Sequence, residues 1–207
     1  MQGDKTGDRT IGDDIKDYLK EKYNKPGEVF LGVTHRLDRP TSGVLIFART
    51  SKALSRMNEA FRNEGEMHKT YWAVVDAKPQ TESSTLEHWL VRNEKQNKSF
   101  AYNNERNEAK KASLTYNYLA SSDRFHLLEI KLHTGRHHQI RAQLATIGLH
   151  IKGDLKYGFN RSNLDGGIHL HARSIHFTHP VTLEKLEITA QTPNDPVWNF
   201  FERILSK

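Results

Sequence analysis

The chain has 207 residues, 36% hydrophobic and 27% charged, with 31 Lys and Arg against 25 Asp and Glu, a formal charge of +6 and a pI near 9.4. That length suits one domain with a real core, and the excess of base points toward a polyanionic partner. The absence of cysteine excludes disulfides, thiolate nucleophiles and Cys-ligated zinc; no apolar run approaches the roughly 20 residues that span a bilayer, and residues 1–14 are too polar for a secretion signal, so a soluble, cytoplasmic, monomeric protein is expected.

Residues 1–9 are polar, glycine-bearing and without periodicity, and are expected to form a flexible N-terminus. Residues 10–23 read as an amphipathic helix with Thr10 as N-cap, Ile11, Ile15, Tyr18 and Leu19 on one face, and Pro26-Gly27 beyond its end. The apolar runs 29–33 and 44–48 read as strands flanking a polar turn. Ser51 opens a second helix whose stripe is Ala53, Leu54, Met57 and Phe61, closed at Gly65. Residues 69–77 return as a strand with Tyr71, Ala73 and Val75 on one side and Trp72 and Val74 on the other.

The signal weakens over 79–108, where 86–92 and 100–102 read as short strands around a charged turn. Residues 112–120 and 125–132 form an antiparallel hairpin across Ser121-Ser122-Asp123, and 136–147 read as a helix with Ile140, Leu144 and Ile147 inward. A glycine-marked loop covers 148–158, and 160–167 is a turn. Residues 170–177 and 183–190 pair across His179-Pro180-Val181-Thr182, and 195–205 form a closing helix with Val197, Trp198, Phe201 and Ile204 inward. Many strands, few helices and no regular strand-helix alternation indicate an α+β fold: one domain over 1–207, built on a mixed, mainly antiparallel central sheet with flanking helices.

The polar turn between the first two apolar runs reads His35-Arg36-Leu37-Asp38-Arg39-Pro40-Thr41-Ser42-Gly43. Taken alone, an Asp in such a turn more commonly bonds its own backbone. The nine residues, however, resemble the H-R-L-D-x-x-T-S-G signature of the RluA-type pseudouridine synthases. Further blocks match in the family's order: Lys69-Thr70-Tyr71 with Ala73, Thr134 to Arg141, Gly153-Asp154 with Tyr157-Gly158, and Leu170-His171-Ala172 followed by Phe177-Thr178-His179-Pro180. The resemblance covers roughly residues 29 to 190 and implies the pseudouridine synthase catalytic fold. The chain departs from the pattern ahead of the first helix, where nothing corresponds to the family's Lys-Pro strands or to an S4-type module, so front strands of the sheet are expected to be missing. His137, Gln143 and His150 also depart from the usual residues, the last two as candidates for tuning substrate fit.

The resemblance implies isomerisation of uridine to pseudouridine in structured RNA, ribosomal or transfer. The reaction breaks a carbon–nitrogen glycosidic bond, turns the base and forms a carbon–carbon bond to the same ribose, without a cofactor. It needs an ionised carboxylate, a cation to hold it and a group that moves a proton. The resemblance assigns these to Asp38, to Arg141, whose planar guanidinium also orients the carboxylate, and to Tyr71, whose ring can stack on the base. A stacked uridine must be extruded first, and Arg36 resembles the family's inserted Arg, with phosphate contact as the plainer reading.

His35 and Thr41 are expected to bond across the turn. His138 and Gln139 are expected to brace Arg141 or its loop at the RNA-binding surface, and Lys69, Arg136, Lys152 and Lys156 are candidates for phosphate contacts. Twelve histidines raise a metal reading, above all at His169 with His171 and at His137-His138, but no carboxylate sits at ligand spacing in sequence and no metal is expected. The rival function is that of an RNA-binding relative, shortened and catalytically impaired.

Overall fold

The computed structural model describes residues 9–63 and 65–206; the expected N-terminal loop, apart from Arg9, lies outside them. The elements in order are α1 (Ile11–Lys22), β1 (Gly32–Val33), β2 (Ser42–Gly43), β3 (Phe47–Ala48), α2 (Ser51–Ala60), β4 (Met67–Val75), β5 (Ser83–Asn93), β6 (Lys98–Tyr102) and β7 (Lys110–Ser121). They continue with β8 (His126–Leu132), α3 (Gln139–Thr146), a 3-10 turn at Leu155–Tyr157, β9 (Leu170–Thr178), β10 (Lys185–Thr189) and α4 (Pro196–Leu205). The mixed α+β class expected from sequence is what the chain adopts. No helix among the described residues is long and apolar enough to cross a membrane.

The chain falls into two compact units. The smaller comprises 1–37, 45–67 and 177–186, of which the described part begins at Arg9; the larger comprises 38–44, 68–176 and 187–207. In the smaller unit α1 starts on a capping box, with the Thr10 hydroxyl accepting from the Asp13 amide and the Asp13 carboxylate accepting from the Thr10 amide at 2.9 Å. Only Leu19 of its expected inward face is buried; Ile11 and Tyr18 are exposed. The runs 29–33 and 44–48 shrink to the two-residue antiparallel pair β1 and β3, because the Ile46 amide bonds the His35 ring at 3.0 Å and the Val44 amide bonds the Ala172 carbonyl, leaving neither for a longer ladder. α2 is capped by Thr50, whose hydroxyl accepts from the Ala53 amide, and buries Met57.

The larger unit is organised by a sheet of order β10-β9-β4-β8-β7-β5-β6, with β2 joined in parallel to β9. Its register decides which residues share a face. Leu86, His88 and Leu90 of β5 align with Leu114, Ala112 and Lys110 of β7, Tyr116 with Ile130 of β8, and Ile130 with Tyr71 of β4. Tyr71 therefore faces the same side as Leu90 and Ala112, against which Ala142 of α3 and Tyr157 pack. The opposite side carries Trp72, Val74 and Leu127, covered by Trp198 and Phe201 of α4. α4 is capped by Asp195, which accepts from the amides of Val197 and Trp198, with Pro196 at the first helical position.

α3 is shorter than the expected 136–147. His138 adopts a left-handed conformation with φ 51°, so the helix begins only at Gln139, and Ile147, expected inward, is exposed. α3 is also no simple amphipathic helix, since Gln139, Arg141 and Gln143 are all buried. Gln143 is wholly enclosed and its amide bonds the Leu86 carbonyl and His88 Nδ1, both at 3.0 Å. It fixes α3 to the sheet, which replaces the expectation that it tunes substrate fit.

Candidate active site

The loop carrying Asp38 is hung on β9. Ser42 and Gly43 pair in parallel with His171 and Ala172, the Ile168 amide bonds the Pro40 carbonyl at 2.9 Å, and the Thr41 amide returns to the Asp38 carbonyl at 2.9 Å. Gly43 has φ 118°, and a Cβ there would lie 2.3 Å from the Ala172 oxygen, so the crossing admits glycine alone. The Thr41 hydroxyl, expected to bond across the turn, is buried without a hydrogen-bond partner among the described residues.

Asp38 and Arg141, 103 positions apart in sequence, meet here: Nη1 of Arg141 lies 3.3 Å from Oδ2 of Asp38. The same guanidinium donates from Nε to Oδ2 of Asp154 at 2.7 Å and from Nη2 to Oδ1 at 2.8 Å. Arg141 is 5% exposed, Asp154 1% and Asp38 25%, so the inner pair is sealed and the outer carboxylate reaches open space. Burial works against the charge on Arg141, but Asp154 and then Asp38 outweigh it and raise its pKa further.

Tyr157 closes one side. Its ring sits under the guanidinium at 4.9 Å, its hydroxyl accepts from the Ser99 amide at 2.8 Å, and it bonds His138 Nδ1 at 2.9 Å. The other ring nitrogen of His138, Nε2, lies 3.6 Å from Asp38 Oδ2, so this side chain bridges Tyr157 and the open carboxylate. Burial raises the Tyr157 hydroxyl to about 12. Tyr71, on the shared face of β4, is also raised, by burial first and then by the negative field of Asp38.

Of the residues singled out from sequence, Asp38, Tyr71, Arg141 and His138 converge. Gln139, expected at the RNA surface, is turned inward: its oxygen accepts from the Thr134 hydroxyl and the Arg136 amide, and its nitrogen donates to the Ser113 carbonyl, so it braces the loop ahead of α3. Lys69 lies two residues before Tyr71, and burial lowers its pKa. Arg136 Nε donates to the Lys111 carbonyl, Lys152 Nζ to Asn163 Oδ1 at 2.7 Å and Lys156 Nζ to the Asn97 carbonyl. Arg36 is an exposed residue of the smaller unit. His150 bonds Asp76 through both its amide and its ring.

His169 bonds Asp195 and Asn163, and His171 bonds Ser42, so both are internal hydrogen-bonding groups; among the described residues no three His, Asp or Glu side chains gather as a metal site. Asp154 and Tyr157 carry no role in the sequence reading, although they stand in a recognised block. Their signal was the pair of glycines around them: Gly153 and Gly158 both have positive φ, and a Cβ on Gly153 would meet the Asn163 side chain at 2.6 Å.

Residues 6–146 match the family model of RNA pseudouridylate synthase. A protein from Chlorobaculum parvum described as an uncharacterized RNA pseudouridine synthase is 35% identical over 181 residues, covering 79% of this chain and 55% of that protein. tRNA pseudouridine synthase C of Vibrio vulnificus is 35% identical over 188 residues, covering 82% of this chain and 75% of the relative. The chain thus spans between about half and three quarters of the length of these relatives. Human RNA Pseudouridylate Synthase Domain Containing 4 shares the fold, with a TM-score of 0.76 at 24% identity over 93% of this chain and 83% of that one. With the family model matched over most of its length and relatives of that name 35% identical to it, the chain belongs to the RNA pseudouridylate synthase family, in its RluA-type branch.

Proposed function

We propose that this protein isomerises uridine to pseudouridine in structured RNA, transfer or ribosomal, as a cytoplasmic monomer. The observation that carries the reading is the Arg141 guanidinium held on one edge by Asp154 and presenting its other edge to a partly open Asp38. A guanidinium clamped on two nitrogens has little freedom left, so it fixes the direction of the second carboxylate.

In this reading Asp38 is the carboxylate that attacks, on the ribose or on the base, as the glycosidic bond from C1′ to N1 breaks. The uracil turns within the site, C5 bonds C1′, and the bond that Asp38 had formed to the ribose or the base breaks again, which regenerates the carboxylate. The proton on C5 then leaves and N1 gains one, so the product is an isomer and no external group is consumed. Tyr71, held as a neutral phenol by burial, stacks on the base and takes part in the proton movement. Arg36 enters the vacated stack, and Lys69, Arg136, Lys152 and Lys156 meet backbone phosphates.

The purified protein, given bulk RNA from cells lacking it, should form pseudouridine. Asp38→Asn should cut product by at least about a thousandfold while RNA binding persists, within the range of lost acid–base or covalent groups. Binding without product from the wild type would instead identify an RNA-binding protein.

A further inference from the structure

Ser42 follows Asp38 by four positions, and its hydroxyl meets Nδ1 of His171 at 2.8 Å. The two residues are also register partners in the parallel pairing of β2 with β9, so side chain and backbone tie the same two points. His171 is 1% exposed. Its other nitrogen, Nε2, faces the Ala190 carbonyl at 3.3 Å. A carbonyl only accepts, so Nε2 carries the ring proton, Nδ1 is left with its lone pair, and the Ser42 hydroxyl donates to it.

We propose that His171 is a positioning residue for the reaction proposed above: its neutral ring, protonated on Nε2, suspends the loop that presents Asp38 through the Ser42 hydroxyl. The rest of its surroundings favour that neutral form. Arg173 of β9 donates to the same Ala190 carbonyl at 2.7 Å and pairs with Glu202 of α4. Trp198 of α4 packs beside the ring at 5.9 Å between centroids, with His169 stacked on the same indole. Burial and then Arg173 oppose a charge on His171, against the Ala190 carbonyl and Glu202 which favour it, and the net direction is downward.

Because Asp38 itself is untouched by the contact, loss of it should misplace the carboxylate without removing any group that binds RNA. Ser42→Ala is expected to lower kcat by roughly tenfold to a hundredfold with KM unchanged, the scale of a small misplacement of a reacting group. Ser42→Thr, which keeps the hydroxyl, should recover most of it. His171→Ala should match Ser42→Ala, and the double variant should lose no more than either alone. Unchanged kcat in Ser42→Ala, a loss confined to KM, or fully additive losses would overturn the proposal. Two readouts need no RNA: nitrogen NMR of labelled histidine should show His171 protonated on Nε2, and the carboxyl carbon signal of Asp38 should move in Ser42→Ala. A wild type that forms no product would defeat the reaction, while a still Asp38 signal would defeat the positioning role.

Discussion

Asp154 grips Arg141 with both carboxylate oxygens, at 2.7 and 2.8 Å, whereas Asp38 touches the same guanidinium with one oxygen at 3.3 Å. The two acids divide one cation unequally. The enclosed one sets where the guanidinium points, and the accessible one is thereby left able to leave it.

Removing the inner grip should therefore damage both stability and turnover. Asp154→Ala strands a buried guanidinium, a change of about 3–5 kcal/mol in comparable buried pairs, readable as a lowered urea midpoint. Arg141→Lys cannot reproduce the paired bonds to Asp154 and should lose product formation despite keeping the charge. Full activity in Arg141→Lys would show that charge alone suffices.

Tyr157→Phe should cost about 1–3 kcal/mol, because the Ser99 amide, now bonded at 2.8 Å, would be buried without an acceptor. His138 loses its hydrogen-bond partner at Nδ1 in the same variant. Hydrogen exchange at the Ser99 amide should accelerate relative to its neighbours on β6.

Gly43→Ala should fail at the loop rather than at the core. The new Cβ would sit 2.3 Å from the Ala172 oxygen in a backbone conformation that alanine avoids, so the parallel bridge must open. Product formation should fall steeply while far-UV circular dichroism stays close to that of the parent.

Acid should destabilise the larger unit through its buried histidines. Burial lowers the pKa of His88, of His169 and of His171. Their unfolded forms take up protons near pH 6.5 while the folded forms still resist. The stability they contribute is therefore complete above that pH and lost as pH falls below it. Urea midpoints measured from pH 7.5 to 5 should decline; a flat profile would mean these rings titrate as they do in the unfolded chain.

Much of the larger unit was readable because alternation and turn residues mark β4, β5, β7, β8 and β9, and because Asp195-Pro196 announces α4. The short strands around the signature were not, since Val44 and Ile46 look like strand residues but give their amides to Ala172 and a histidine ring. Nor was the start of α3, because no pattern forecasts a left-handed His138. Asp38 and Arg141 were reached through a family signature. Asp154 had no such pointer to a role: it lies 13 residues beyond Arg141, across a loop, and such a spacing carries no periodic signal.

Two acids sharing one base give the cluster of Asp38, Arg141 and Asp154 one formal negative charge in excess, and of the three only Asp38 is partly open to solvent. A second anion nearing that carboxylate meets repulsion, whereas an uncharged ring with its sugar does not. In the reaction proposed above, an RNA strand would therefore offer Asp38 a nucleoside while its own phosphodiesters stay further off.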